Sequence, residues 1–212
     1  YLYQMKFKEK LLQGALVKRY KRFFVDIEYQ NRIITAHCPN SGSMMGLLEK
    51  GNSVYFSKSD NPKRKLKFTL EIIKAGNTLV GVNTHLSNKI VLEALNHKKI
   101  KQLVKFNNIT KEVKFSDHTR FDFLISNNKK KCFLEVKNVT LSRKLKIAEF
   151  PDAITSRGTK HLNELVKAKK RGFESYILYL IQRNDCGSFE IAQDIDEEYK
   201  IAFSNAIKNS VN

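Results

Sequence analysis

The chain has 212 residues and a formal net charge of +18, from 39 Lys and Arg against 21 Asp and Glu. That length admits one large domain or two small ones with a core that needs no staples, and the charge suits a polyanionic partner, nucleic acid being the simplest. The cysteines Cys38, Cys132 and Cys186 lie far apart with no CxxC or Cys/His cluster, which argues against a disulfide framework or a zinc site and for a reducing compartment.

No apolar run approaches 18 residues and no signal peptide is evident, so the expected setting is the cytoplasm, with no membrane partner. The chain starts at Tyr1 rather than Met, and Met5 is a candidate for a native start nearby. Charge alone leaves a second explanation open, because a Lys/Asn/Ile bias also arises in AT-rich genomes. The field is not uniform: residues 184–212 carry six acidic side chains against two basic ones.

From Gly14 to about Asn83 the pattern is of short strands broken by turns. Ala15–Arg19, Phe23–Glu28, Arg32–His37, Ser53–Ser57, Phe68–Lys74 and Leu79–Val82 are the candidates, the last two joined at Gly76. Five or six short strands in so few residues suggest a small barrel of the OB type, residues 1–82, which often binds nucleic acid through a basic groove and aromatic platforms. Arg19, Tyr20, Lys21 and Arg22 run into Phe23 and Phe24. They read either as a nucleic-acid surface or as core phenylalanines beside solvated bases. The loop His37-Cys38-Pro39-Asn40-Ser41-Gly42-Ser43-Met44 is rich in small donors but lacks the Gly-Lys-Ser/Thr of a P-loop, so it reads first as a structural turn. Lys63, Arg64 and Lys65 follow a turn at Asp60-Asn61-Pro62 and either grip phosphates or form a solvated hairpin tip.

Residues 83–212 change pattern. Leu86 to about Ile100 has a helical apolar stripe with Ser87 as its candidate cap, and Glu93 lies beside that stripe. Arg120–Leu141 contains two apolar strands around a polar turn at Ser126–Lys131, a β-hairpin pattern. Asp122 sits on the first strand, and Glu135 and Lys137 share one face of the second. Acid and base embedded in apolar strands are costly unless paired or bound to a metal. A basic loop is expected at Ser142–Ile147, then a helix from Thr155 to Arg171 that ends at Gly172. Arg157, His161 and Glu164 fall on one side of that helix, with Lys160 beside them. They either line a phosphodiester cleft or form a surface ladder. Ser175–Gln182 reads as a central strand, and Glu197–Lys208 as a last amphipathic helix with Tyr199, Ala202, Phe203 and Ile207 inward. Helix, hairpin, helix, strand, helix make an α/β sandwich, so the fold class is mixed α/β.

Asp followed by Glu-x-Lys on the next strand resembles the PD-(D/E)xK nuclease motif. The chain as a whole resembles the sugar fermentation stimulation protein A (SfsA) family from about Leu16 to about Asn209. The matching stretches are Arg19–Phe23, His37–Met44, Ser59–Lys65, Val82–Thr84, Arg120–Phe123, Glu135–Leu141 and Phe150–Leu162. The resemblance implies an OB-like domain followed by a PD-(D/E)xK nuclease-like domain, and DNA binding of low sequence specificity. It makes Asp122, Glu135 and Lys137 the catalytic candidates. On the same resemblance, Glu93, Asp122 and Glu135 are the expected ligands for Mg²⁺ or Mn²⁺. Arg19, Tyr20, Lys21, Arg22, Lys63, Arg64, Lys65, Arg157, Lys160 and His161 are the expected nucleic-acid contacts. Family members usually continue with another strand past the point where this chain stops. The alternative is a non-catalytic DNA-binding regulator linked to sugar (maltose) metabolism on the same fold. RNA and a homodimer are compatible with either reading.

Overall fold

A computed structural model describes residues 5–212 and shows 13 strands and three α-helices. Tyr1 and the rest of the first four residues lie outside the described residues. The chain divides into two compact units. One comprises the chain through Leu86 with Val139–Asp152 and Ile181–Glu190; the other comprises Ser87–Asn138, Ala153–Leu180 and Ile191–Asn212.

The first unit is built on a barrel. Its strands are β1 (Leu12–Tyr20), β2 (Phe24–Tyr29), β3 (Arg32–His37), β4 (Ser53–Lys58), β5 (Phe68–Ala75) and β6 (Thr78–Gly81). The hydrogen-bonded order is β3-β2-β1-β4-β5-β6, and a parallel β3–β5 pairing closes five of the strands into a ring, with β6 extending from β5. Alternating residues fill the interior: Leu16, Val25, Ile27, Ala36, Val54, Phe56, Leu70 and Ile73 are buried. Closure removes the open edges that a sheet this small would expose.

The loop after β3 is structural, and its donors show why. Asn40 donates through Nδ2 to the Val82 carbonyl (3.2 Å) and accepts from the Gly42 N–H (2.9 Å). The Met44 N–H donates to Asp152 Oδ2 at 2.9 Å, and Ser43 Oγ to the Asp152 carbonyl at 2.5 Å. A Cβ on Gly42 would stand 2.5 Å from the Asp152 carboxylate, so only glycine permits this approach.

The stretch expected to be a basic loop is a second hairpin, β10 (Leu141–Lys144) and β11 (Ile147–Phe150), which pairs on with β13 (Ser188–Ile191). Its alternation was hidden by charge: Arg143 looks solvated in sequence, yet it grips the buried Glu149 from Nη2 at 2.6 Å.

The second unit has a sheet in the order β12 (Glu174–Ile181), β9 (Lys131–Val139), β8 (Thr119–Ser126), β7 (Asn108–Ser116). Its helices are α1 (Ser87–Asn96), α2 (Ser156–Lys170) and α3 (Glu197–Lys208). Val91 and Leu95 of α1 pack on Phe123, Ile125, Cys132, Leu134 and Val136. Strand β7 carries four charged or amide-bearing side chains on a largely exposed edge, which conceals its strand character in sequence.

Four expectations are corrected here. β12 ends the order of the four-stranded sheet rather than sitting at its centre; Asn212 bonds to its outer side, accepting from Ile177 N–H and donating to the Ser175 carbonyl, both at 2.9 Å. The first helix stops at Asn96, and Lys98 turns into the left-handed region at φ 55°. Ser87 gives its hydroxyl to Asn138 Oδ1 at 2.8 Å and is itself helical. On α3, Ala206 is buried while Ile207 is 49% exposed, because the inward face follows 199, 202, 206.

Candidate active site

The hairpin of β8 and β9 is regular at its far end and opens at the acid. Its ladder runs from Ser126 opposite Lys131 to Phe123 opposite Leu134 and ends there. Beyond it, Asp122 Oδ2 accepts the Val136 N–H at 2.8 Å, so a side-chain carboxylate takes a donor that a continuing ladder would use. Phe123 packs on the α1 side, whereas Phe121 packs on Phe133 and the His161 ring, 5.2 and 6.2 Å between centroids. A regular strand would place both on one face. Across on β7, Glu112 adopts φ 53°, although the β7–β8 register stays unshifted from Lys111 opposite Phe123 to Val113 opposite Phe121.

Asp122 Oδ1 accepts from Asn88 Nδ2 of α1 at 2.8 Å. Its pKa is raised to about 6, first by burial and then by the nearby Glu135 charge; the bonds from Val136 and Asn88 only partly offset this. Glu135 is 3% exposed. Burial works to raise its pKa too, but the His161 hydrogen bond and the Lys137 charge outweigh it and hold the group below its ordinary value. Two carboxyls in one site are thus pushed apart, one reluctant to ionise and one firmly ionised.

Lys137 Nζ bonds Glu135 Oε1 at 2.8 Å. His161 of α2, 4% exposed, meets the same oxygen through Nδ1. Its Nε2 accepts from Arg157 Nε at 3.5 Å, so the proton belongs on Nδ1, which donates to Glu135. Glu135 Oε2 is buried with no hydrogen-bond partner. Helix α2 is started by Thr155, whose hydroxyl accepts the Gly158 N–H at 3.1 Å, and this fixes the turn that presents Arg157, Lys160 and His161.

The His161 ring forms part of the wall of a cleft of about 610 Å³ lined also by Lys114, Arg120, Ser156, Arg157 and Lys160, together with His118, Asp117 and neighbouring backbone. Four cations face one carboxylate there, and Asp117 is already paired with Lys114 at 2.8 Å. Lys160 donates to the His118 carbonyl at 2.9 Å.

The expected residues therefore separate. Asp122, Glu135 and Lys137 converge, and His161 joins them as a buried partner of Glu135 rather than as an exposed phosphate contact. Arg157 and Lys160 line the cleft. Glu93 lies about 140° around α1 from Asn88, so the side of α1 that reaches Asp122 presents an amide and not the expected acid. Among the described residues, no group of three or more His, Cys, Asp or Glu is arranged to hold a metal ion. Asn88 was missed in the sequence; an amide one turn before Val91, on the buried stripe, was the available signal.

In the barrel unit, Arg19 spends its guanidinium on backbone: Nη2 on the Asn40 carbonyl (2.7 Å), Nη1 on Ser43 (3.2 Å) and Nε on Arg22 (2.9 Å). It clamps the 38–44 loop, and this use competes with the expected phosphate contact. Lys21 and Arg22 form the exposed β1–β2 turn with φ 47° and 62°. Tyr20 bonds Asp26 at 3.2 Å and stacks on Phe24, while Phe23 is 45% exposed and stacks toward His37. Lys63 and Lys65 are exposed in the β4–β5 loop, and Arg64 is tied to Thr69 Oγ1 at 2.6 Å.

Comparison with known proteins agrees with this architecture. Residues 17–82 match the SfsA N-terminal OB domain, and residues 85–212 match the sugar fermentation stimulation protein RE domain. The chain belongs to the SfsA family. It is 54% identical to a sugar fermentation stimulation protein homolog of Pelagibacter ubique over 98% of this chain and 90% of that one. Against the Maricaulis maris homolog the identity is 45%, covering 92% and 84%. The structure of Pyrococcus furiosus SfsA in complex with Ca²⁺ superposes with a TM-score of 0.90 at 22% identity, over 98% of this chain and 88% of that one. That likeness speaks for the fold.

The family boundaries at 82 and 85 lie close to the Leu86/Ser87 division of the compact units, but residues 139–152 and 181–190 belong with the barrel. No described helix is long and apolar enough to cross a membrane.

Proposed function

We propose that this chain is a divalent-metal-dependent phosphodiesterase that acts on nucleic acid, DNA first, with little sequence preference. The observation that carries the reading is the convergence of Asp122, Glu135 and Lys137 with His161, whose ring also lines a cationic cleft. A pure binding surface gains nothing from two carboxylates beside phosphates, because like charges repel.

The residues fit a hard cation, Mg²⁺ or Mn²⁺. Glu135 Oε2 is buried and unpartnered, and Asp122 ionises reluctantly beside Glu135, a strain that a divalent charge relieves. Mg²⁺ needs only one or two carboxylates because it keeps waters and takes phosphate oxygens, so the site needs no larger ligand cluster than the described residues offer. Asp122 and Glu135 would hold the ion, which supplies polarisation of the scissile phosphate and a more acidic water. The Pyrococcus furiosus protein is described in complex with Ca²⁺, an ion that takes oxygen ligands.

The chain's own residues do the rest. Lys137, anchored on Glu135, offers its remaining N–H donors to the attacking water and to charge that develops on the phosphate. His161 fixes the Glu135 carboxylate in orientation. Arg157 and Lys160 seat flanking phosphates in the cleft. Exposed Lys21, Arg22, Lys63 and Lys65 add sequence-independent contacts.

The test is cleavage of labelled single-stranded, duplex and branched DNA and of RNA, with Mg²⁺, Mn²⁺ or chelator, with Asp122→Asn as the control against a contaminating nuclease. Metal-dependent cleavage absent from the variant is expected. A second reading, a DNA-binding regulator without turnover, is favoured by one observation: both Asp122 oxygens already accept protein hydrogen bonds. Salt-sensitive binding with no cleavage of any substrate would select it.

A further inference from the structure

A second basic cleft lies at the other end of α2, away from the carboxylates. Its volume is about 440 Å³, and its walls come from two elements. Lys129, Lys130 and Lys131 belong to the β8–β9 turn; Lys169 and Arg171 belong to the end of α2. Five cations surround one carboxylate, Glu174, which already pairs with Lys130 at 3.0 Å and with Lys105 at 2.8 Å.

The turn is held rigid. Asn127 Oδ1 accepts from the N–H groups of both Lys129 and Lys130, at 3.0 and 2.8 Å, and Asn127 Nδ2 donates to the Lys105 carbonyl at 3.0 Å. On the facing side the Arg171 guanidinium lies 4.9 Å from the Phe115 ring centre, which anchors it by a cation–π contact. Gly172 adopts φ +87°, and no heavy atom stands near where its Cβ would be.

Cations at a helix C-terminus are partly explained by the helix dipole. That explanation covers Lys169 and Arg171. It does not cover three consecutive lysines presented by a separate, internally braced turn, whose mutual repulsion is a cost unless an anion lies between the two walls.

We propose that this cleft is a second phosphate-binding site, occupied by the backbone of the same nucleic acid that enters the cleft beside His161. The proposal rests on the nucleic-acid reading above and extends it. The helix sets the spacing: Lys160 to Lys169 is about 14 Å and Arg157 to Arg171 about 21 Å at the helical rise. At 3.4 Å of axial rise per nucleotide this is roughly four to six nucleotides. Arg157, Lys160, Lys167 and Arg171 lie within about 80° of one another around α2, a stripe that connects the two clefts, with Lys167 already paired to Glu164 at 2.6 Å. A strand shorter than about four nucleotides reaches only one of them.

The experiment compares wild type with Lys129→Ala/Lys131→Ala/Lys169→Ala, which spares the paired Lys130. A matched control, Lys99→Ala/Lys101→Ala/Lys111→Ala, removes the same charge outside both clefts. Binding of fluorescein-labelled 24-nucleotide and 3-nucleotide strands is followed by anisotropy from 50 to 300 mM salt. The expected result for the cleft variant is a salt slope on the 24-mer lower by roughly 2, about 0.7 for each single-strand phosphate no longer neutralised, with a smaller loss on the 3-mer, which keeps the cleft beside His161. The control should keep the wild-type slope. If melting shows that the triple variant is unfolded, Lys129→Ala and Lys169→Ala singly should each lower the slope by roughly 0.7. A slope equal to wild type overturns the second site and leaves the phosphodiesterase reading intact. An equal drop in the control shows a diffuse field and likewise overturns the site. No binding of any strand by wild type overturns both.

Discussion

Asp122→Asn should stabilise the protein at pH 8 and by only about half as much at pH 5. Asp122 is raised from 3.8 to about 6 in the folded chain, first by burial and then by Glu135. The unfolded chain therefore gives up this proton near pH 4 and the folded chain near pH 6. Between those values the folded state holds more protons, so stability falls as pH rises through the window, and the loss is complete above it. The gap corresponds to roughly 3 kcal/mol, which partial solvent access trims to about 2 kcal/mol. Asparagine keeps the shape without the charge. One of its atoms faces a donor, and an amide flip of Asn88 restores that bond. For a chain of this size the gain at pH 8 is a melting temperature higher by roughly 4–8 °C. Thermal melts of wild type and variant in chelator at pH 5 and pH 8 measure it. Adding Mg²⁺ at pH 8 should close the gap by raising wild type alone. A variant destabilised by the same amount at both pH values would refute the claim that Asp122 carries an unrelieved charge.

The other predictions use neighbouring contacts. Lys137→Ala should lower cleavage by roughly 100-fold or more, while binding to a 24-mer stays within about threefold; gel assays and anisotropy separate the two, and loss of both together would give Lys137 a structural role. His161→Ala strips a donor from buried Glu135 and should cost about 1–3 kcal/mol in urea unfolding. His161→Asn should recover part of that if orientation of Glu135 is the role. Asn88→Ala removes a bond that lowers the Asp122 pKa, so the rise of cleavage with pH should move to higher pH; an unshifted profile would detach Asn88 from the site. Gly42→Ala sets a methyl against the Asp152 carboxylate and should destabilise the barrel unit, read by melting.

The barrel was legible because its strands are short and each is bounded by its own turn; β2 alternates along Phe24–Ile27, and the bounds of β3 match end to end. The hairpin of β8 and β9 was legible for the same reason, and its acid and base stood out against apolar neighbours. What charge disguised was lost. β7 gives no strand pattern in the sequence because its exposed edge is Lys and Glu. β10 and β11 read as a basic loop because sequence cannot show that Arg143 folds onto Glu149. The same limit applies to Arg19, whose charge suggests a phosphate and whose geometry serves the 38–44 loop. Periodicity finds which residues face inward; it does not report whom a polar side chain will meet, and so Asn88 and the burial of His161 emerged only with the fold.

Those two residues also explain how the strand can open where it does. A β-ladder gap leaves a backbone N–H without its partner, a cost of about 1–3 kcal/mol if nothing replaces it. Asp122 replaces it, and in doing so is drawn out of solvent beside Glu135. Asn88 steadies one acid from α1, and His161 and Lys137 steady the other from α2 and β9. The two carboxyls are thereby held by hydrogen bonds from different residues, and each is braced by a different helix. A site assembled only for stability would place an amide at 122, since that satisfies the same backbone donor at no charge cost. The persistence of an acid there, at a cost of about 2 kcal/mol at neutral pH, has a physical return only if something positive comes to it, and that is the strongest argument that the metal-dependent reading, rather than the binding-only one, describes what this arrangement is for.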